Sequence, residues 1–463
     1  MSKFLGLDIN LKNIPELDTG FMPISKFFDA YQKDVASVGG VPVKISVERE
    51  NGQRSVYSFS IYGTDEKKEV DFLVVERFIK TVLWACGGFK ITIGGCDHVA
   101  DYIKELYCVG GKREFDAVTM ANIYEKPFEV ITAKLEDIGE SISHTKSAGR
   151  NLNGCRIGFD AGGSDRKVSA VIDGEAIWSE EVVWNPKTNA DPDYHYEGIV
   201  SAFKSAAEKM PRVDAIGISS AGIFVNNRTM LASLFLKVPK DLFDAKVKDI
   251  YIRAAKEIGD VPVLVANDGD VTALAGAMSL NKNNILGIAM GTSEAVGYID
   301  GDGNITGYLN ELAFAPVDLN PDAMMDEWSG DIGCGVKYFS QDSVNKLAPR
   351  ANIELDETDT PANRLKVTQK LMAEGSPSAA SVYRSIGVYL GHALAWYSKF
   401  YDLKDVLLLG RVMSGDGGNL IIEYAEKTLL EDYPEIKIDL NLPDEKFRRV
   451  GQSVAAASLP EVK

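Results

Sequence analysis

Apolar and polar residues alternate along residues 43–49 and again along 55–62, and the Asn51-Gly52 between them is a turn signal, so the two runs predict a β-hairpin. Val70, Leu73, Val74, Phe78, Val82 and Leu83 then recur at helical spacing as far as Gly87-Gly88, after which residues 90–93 return to strand character. Residues 1–150 therefore read as an α+β accessory domain, for assembly or for covering a site, without a catalytic constellation of their own. The polar stretch 140–150 reads as a linker.

From Cys155 onward the pattern changes to alternating strands and helices. Residues 156–159, 168–172 and 176–183 predict three strands, the last two joined by a turn at Asp173-Gly174. A helix over 198–209 precedes a buried strand at 214–219, and a further strand at 261–266 leads to a helix starting near Asp270. A second meander opens at 284–290, and residues 296–305 in it repeat the earlier strand, turn and strand. Val382, Ile386, Leu390, Ala393, Leu394 and Tyr397 mark an amphipathic core helix before the buried strand 406–409. Each half thus begins with a glycine-containing turn after an apolar strand, and two such lobes facing each other make a cleft.

Polar turns at the C-terminal ends of strands are where α/β sheets place ligands. In the first, Gly162 and Gly163 would allow positive φ and bring backbone N–H groups against an anion; Ser164 adds a hydroxyl, Asp160 a carboxylate for Mg²⁺ through water, and Lys167 a countercharge. A plain hairpin turn is the alternative. Ser219-Ser220-Ala221-Gly222 forms a second polar turn, Asn267-Asp268-Gly269-Asp270 a third, Gly291-Thr292-Ser293 a fourth, and Gly410-Arg411 opens a fifth. Asn267 offers an amide to fix a hydroxyl and Asp268 a carboxylate to accept its proton, which suits phosphoryl transfer to an alcohol. Either Asp268 or Asp270 could instead cap the following helix, a role that fits Asp270 better.

The bulk properties remove alternatives. With 463 residues the chain exceeds one ordinary core, and a net charge of −17 without a basic run disfavours nucleic-acid binding. No apolar run is long enough to cross a bilayer, and the first residues lack the features of a secretory signal, so a soluble cytoplasmic protein is expected. The five cysteines have no C-x-x-C pair and the four histidines no ligand spacing, which argues against a disulfide framework or structural zinc.

The order of Asp160-Ala161-Gly162-Gly163-Ser164, residues 261–268, Gly291-Thr292, Asn310-Glu311 and Gly330-Asp331-Ile332-Gly333-Cys334 resembles the ROK family of bacterial sugar kinases and repressors, within the superfamily of sugar kinases, actin and Hsp70 chaperones. The resemblance spans residues 155–463. It implies an α/β, two-lobed actin-like (ribonuclease H-like) ATPase fold: a first lobe over 151–280, closed by a C-terminal helix at 446–460, and a second over 281–445. It further implies ATP and Mg²⁺ as cofactors, with phosphates held by Asp160, Gly162, Gly163, Ser164, Lys167, Gly291, Thr292 and Ser293, and adenosine beside Gly410, Arg411 and the residues up to Gly418. Asp268 would be the base, and Ser220, Gly222, Asn267 and Glu311 would surround a sugar.

Departures from the family pattern accompany these matches. Phe314 stands where a histidine is common, Val336 where a sugar-binding glutamate is usual, and Glu327 and Ser329 occupy cysteine positions of a zinc loop that keeps only Cys334, so no structural zinc is expected. Glu294 replaces part of a glycine-rich pair, and a carboxylate there would have to turn away from phosphates or meet Mg²⁺. The residues support an ATP-dependent kinase for a hexose or hexose derivative, with a non-catalytic sugar or nucleotide sensor as the alternative. The N-terminus lacks a basic recognition helix, against DNA binding. Homo-oligomer assembly through residues 1–150 is compatible with either reading.

Overall fold

The computed structural model describes residues 2–143, 148–443 and 445–462. Its first region runs α1 (Ile24–Val38), β1 (Val41–Glu48), β2 (Arg54–Ile61), α2 (Lys68–Cys86), β3 (Lys90–Gly94), α3 (Asp97–Leu106), α4 (Glu114–Tyr124) and β4 (Glu129–Ala133). The sheet order is β2-β1-β3-β4, antiparallel except for β3 with β4. The Asn51-Gly52 turn has φ of 58° and 70°, the left-handed conformation that these two residue types tolerate best. Part of the expected linker, residues 144–147, lies outside the described residues; ahead of it Ile142 bridges Arg54, and after it Arg150 N donates to Ser458 Oγ.

The first lobe is a five-stranded sheet of β5 (Cys155–Ala161), β6 (Asp165–Ile172), β7 (Glu175–Val183), β8 (Ala215–Ser220) and β9 (Val263–Asn267), with α5 (Pro192–Ala207) between β7 and β8. Its order is β9-β8-β5-β6-β7; β5, β8 and β9 run parallel, and β5-β6-β7 form an antiparallel meander. Helix α6 (Asp268–Leu280) leads to the second lobe, where β10 (Ile285–Met290) pairs antiparallel with β11 (Glu294–Ile299). After α7 (Pro377–Tyr397), β12 (Asp405–Leu409) joins β10 in parallel; after α8 (Asp416–Asp432), the short β13 (Asp439–Asn441) follows at the edge. The two sheets repeat one plan, a hairpin whose first strand takes parallel partners on its other side. The expected third strand of the second meander is reduced to a single bridge between Ile299 and Ile305.

Two helices fill the seam between the lobes. The closing helix α9 (Glu445–Ala457) lies so close to β5 and β8 that a Cβ on Gly158 would come within 1.7 Å of Ser453 O, and one on Gly217 within 1.7 Å of Ala456 O. Helix α6 approaches the other sheet as tightly, since a Cβ on Gly297 would meet Gly269 O at 2.2 Å.

Residues 1–150 do not close a core of their own. Phe27, Phe28, Phe78 and Trp84 belong to the same buried apolar cluster as Leu286, Ile288, Leu390 and Trp396 of the second lobe. Helix α2 is buried on nearly all sides, as a helix sandwiched between a sheet and a second domain must be. Its few buried polar groups are paired: Thr81 Oγ1 accepts from Trp396 Nε1 at 3.1 Å, for example.

Candidate functional site

The parallel register fixes what meets in the seam. Asp160 on β5 lies opposite Ser219 on β8, which lies opposite Ala266 on β9, so three strand ends open at one level. Ser219 Oγ donates to Asp160 Oδ1 at 2.9 Å, and Gln452 Nε2 donates to Ser219 Oγ and to Asp268 O, each at 3.0 Å. Gln452 follows Gly451 (φ 62°), where α9 kinks, and so ties the closing helix to the mouth of the site. Sequence reasoning missed it, because a lone glutamine in a helix carries no pattern. Burial raises the carboxyl of Asp160 to about 6.

The turn after β5 differs in its geometry from the expectation. Neither Gly162 nor Gly163 has positive φ; what requires glycine is close approach, since a Cβ on Gly162 would lie 2.7 Å from Asp165 O, and one on Gly163 2.7 Å from Lys187 Cε. Ser164 Oγ donates to Asp165 Oδ2 at 2.9 Å. Lys167 pairs at the sheet surface with Glu181 (3.7 Å) and Asp165 (3.8 Å).

At the start of α6 the cap is Asn267, not Asp270. Asn267 Oδ1 accepts from Gly269 N at 2.7 Å while its Nδ2 donates to Gly222 O at 2.7 Å. Asp270 is buried and accepts from Tyr298 N and from Asn310 Nδ2; burial pushes it up to about 7. Asp268, the first residue of the helix, is half-buried, and its Oδ1 accepts from the neighbouring Gly269 N at 3.1 Å. Burial raises its carboxyl above the ordinary range. Glu311, also half-buried, is pushed to about 7 by burial and by the negative charges of Asp268 and Asp270, which brings these three acids into one field. Ser220 stands apart, its hydroxyl buried 2.7 Å from Tyr251 Oη.

On the second lobe, the β10–β11 turn exposes Thr292 and Ser293, with Gly291 N closing onto Ser293 O at 3.0 Å. Glu294 turns away from this turn into the lobe interior, where neither carboxylate oxygen has a hydrogen-bond partner and a Cβ on Gly335 would touch it. Beyond Gly410 (φ 96°) and the exposed Arg411, a cavity of about 300 Å³ is lined by Gln369, Met372, Tyr383, Ser414, Asp416 and Gly417. The Tyr383 hydroxyl is buried there without a partner, and Gln369 Nε2 donates to Arg411 O. That cavity has the size and mixed lining of a small-molecule pocket.

Residues 156–446, more than half of the chain, match the model of the ROK family. The chain belongs to the ROK family. Among solved structures, the ROK hexokinase from Thermus thermophilus aligns with 20% identity over 65% of this chain and 96% of its own, with a TM-score of 0.50. A ROK family glucokinase from Streptomyces griseus, in complex with glucose and AMPPNP, aligns with 21% identity over 66% and 98% (TM-score 0.48). A ROK family transcriptional regulator, a homologue of the E. coli MLC protein, aligns with 17% identity over 66% and 79% (TM-score 0.49). No curated protein matches. The two-lobed actin-like fold is thus established, with a sheet-containing N-terminal region beyond the ROK portion. No helix among the described residues is long and apolar enough to cross a membrane.

At Phe314, one of the positions where this ROK chain departs from its family, residues 1–150 supply the neighbours. Phe314 packs against Trp84 of α2, ring centroids 4.4 Å apart at a tilt of 34°, and lies 5.7 Å from Phe115 of α4. Asn310 N and Glu311 N donate to Ala85 O and Trp84 O, so the end of α2 sets the backbone that carries Glu311. In the loop of the missing cysteines, Glu327 pairs with Lys337 at 2.6 Å and Ser329 Oγ donates to Asp326. Asp331 meets three cations from the N-terminal region: Arg77 and Arg113 at 2.9 Å and Lys80 at 3.0 Å. Glu76 and Asp116 balance them, and Cys334 lies buried beside the cluster. No group of three or more His, Cys, Asp or Glu residues suited to a metal occurs among the described residues.

Proposed function

We propose that this ROK protein is an ATP-dependent sugar kinase in which Asp268 is the base. The observation that carries the reading is the half-buried Asp268 carboxylate at the head of the interlobe helix, whose charge acts on both Asp160 and Glu311. A sugar hydroxyl beside Asp268 would pass its proton to that carboxylate. The hydroxyl oxygen would bond to the terminal phosphorus of ATP as the bond from that phosphorus to the bridging oxygen of ADP breaks. Burial favours this role, because a base raised toward neutrality holds a transferred proton better than an ordinary aspartate.

The residues present fit both cofactors. The cavity with the orphaned Tyr383 hydroxyl suits a nucleoside, and the exposed donors of Thr292 and Ser293 suit phosphate oxygens. Asp160 offers one carboxylate to a hydrated Mg²⁺, in keeping with that ion's habit of taking few protein ligands. Mg²⁺ supplies charge neutralisation between the phosphates when bound.

Purified protein with Mg·ATP and a broad hexose panel tests the reading. Turnover is expected with at least one sugar, and Asp268→Asn should lose about 10²–10⁴-fold in kcat with nucleotide binding kept. Absence of turnover on the whole panel, with Asp268→Asn indistinguishable from wild type, refutes it. Tight sugar binding without turnover would favour a sensor, the reading that the Phe314–Trp84 contact supports because an aromatic pair stands where the family pattern has a polar sugar partner.

A further inference from the structure

The mouth of the site is rich in acids, with Asp160, Asp268 and Glu311 facing a position meant for a polyanion. Such an arrangement needs a cation, and the sequence pointed to Lys167, whose charge acts on Asp160 while its ammonium lies 3.7–3.8 Å from Glu181 and Asp165. Lys187 is placed differently. It sits in the single turn Pro186–Thr188 between β7 and α5, and that turn is fastened in two places. Before it, Trp184 is almost fully buried and clasps the glycine turn, donating from N to Ser164 O at 3.1 Å and from Nε1 to Gly162 O at 2.8 Å. Within it, Pro186 O lies 3.0 Å from Nε2 of the buried His195 on α5.

The ammonium so held would lie 2.9 Å from a Cβ on Gly163, and it is the cation whose field reaches Asp268. Lys187 is exposed and has no carboxylate partner among the described residues. A solvent-facing lysine with a fixed stem base, lying across a glycine turn and with no carboxylate at ion-pair distance among the described residues, can receive a further anion.

We propose that Lys187 binds the terminal phosphoryl group of the nucleotide and stabilises its charge during transfer to the sugar. This rests on the kinase reading above and assigns the cationic partner that reading lacks. Lys187 takes no part in proton exchange: the hydroxyl proton goes to Asp268, the phosphoryl group passes from ADP to the sugar oxygen, and the ammonium holds the moving oxygens from the first-lobe side. The absence of a Cβ at Gly163 is what lets the lysine stem cross the turn.

Calorimetric titration of full-length protein with Mg²⁺ and either AMPPNP or ADP tests the assignment, using Lys187→Met, Lys187→Arg and, as a surface control, Lys204→Met on α5, whose ammonium lies 3.9 Å from Glu257. Because Lys187 is exposed and unpaired, its replacement should leave the melting temperature unchanged. Lys187→Met should weaken AMPPNP about 10-fold or more while leaving ADP within twofold. Lys187→Arg should recover part of the loss, and Lys204→Met should change neither ligand by more than twofold. If wild type binds both nucleotides and Lys187→Met binds AMPPNP as tightly, or weakens AMPPNP and ADP alike, the lysine assignment is overturned and the kinase reading stands. If wild type binds neither nucleotide, the kinase reading itself fails and takes the assignment with it.

Discussion

Asp331→Asn removes one negative charge from a site where three buried cations converge. In the native protein Arg77, Lys80 and Arg113 contact this carboxylate at 2.9–3.0 Å, and its side chain is only 3% exposed. Without it, Glu76 and Asp116 are left to balance three positive groups in a region that water does not reach. Breaking one partner out of a buried pair costs about 3–5 kcal/mol, chiefly because an uncompensated charge stays buried. At about 2–4 °C per kcal/mol for a unit of 150–250 residues, the first melting transition should fall by about 6–20 °C. Glu327→Gln is the control: its partner is Lys337, but the carboxylate is 67% exposed, so the loss should stay below about 1 kcal/mol. The pH dependence gives an independent reading. Burial opposes ionisation of Asp331, yet Arg77 and Lys80 overcome it and hold the carboxyl below its ordinary value of 3.8. A depressed carboxyl stabilises the fold above that value and loses its contribution as pH falls through the folded one, so the gap between wild type and Asp331→Asn should close in strong acid. Scanning calorimetry across pH checks both points. A variant melting within about 1 °C of wild type at pH 7 would mean that the ion cluster contributes nothing to joining the N-terminal region and the second lobe.

Two further outcomes follow from the same physics. Glu294 is buried with both oxygens unpartnered, and burial raises its carboxyl well above 4.5, so the folded chain keeps a proton that the unfolded chain releases. Stability therefore falls as pH rises above the unfolded value, and Glu294→Leu should melt higher than wild type at pH 8, with the advantage shrinking toward pH 5; an advantage that grows in acid would contradict this. Gly217→Ala would drive a Cβ to 1.7 Å from Ala456 O, a backbone atom that cannot yield without moving α9. A loss of about 1–3 kcal/mol or more in thermal melts is expected, with weaker activity because Gln452 moves along with the helix.

The two lobes were legible in the sequence because each is a local pattern: apolar strands of four to seven residues, glycine turns at their ends, and helices at regular spacing. Residues 43–62 gave the hairpin almost to the residue, since Asn51-Gly52 has only one comfortable geometry. What the sequence did not reveal depends on partners far along the chain. The pairing of Arg77 with Asp331 spans 254 positions, and nothing near either residue marks it. Helix α2 is expected from its apolar residues at helical spacing, yet its buried Glu76, Arg77 and Lys80 show that its polar side is also covered, which that spacing does not reveal. Asp270 looked like a cap because aspartate often is one; Tyr298 N on a strand 28 residues later claimed its Oδ1 instead. Lys187 carried no signal at all, being one lysine in a polar loop, and only its proximity to Gly163 singles it out.

The N-terminal region reaches the first lobe as well as the second. Ile223 of the first lobe joins the large apolar cluster, and Glu125 at the end of α4 accepts from Arg228 and Lys248, each at 2.7 Å. Both ion pairs face solvent, where such contacts are worth about 1 kcal/mol or less. One jaw of the molecule thus carries 150 additional residues as permanent freight, while the opposite jaw meets them through a light catch. Any swing that widens the gap must undo that catch, and the effort needed is small enough for a bound ligand to repay.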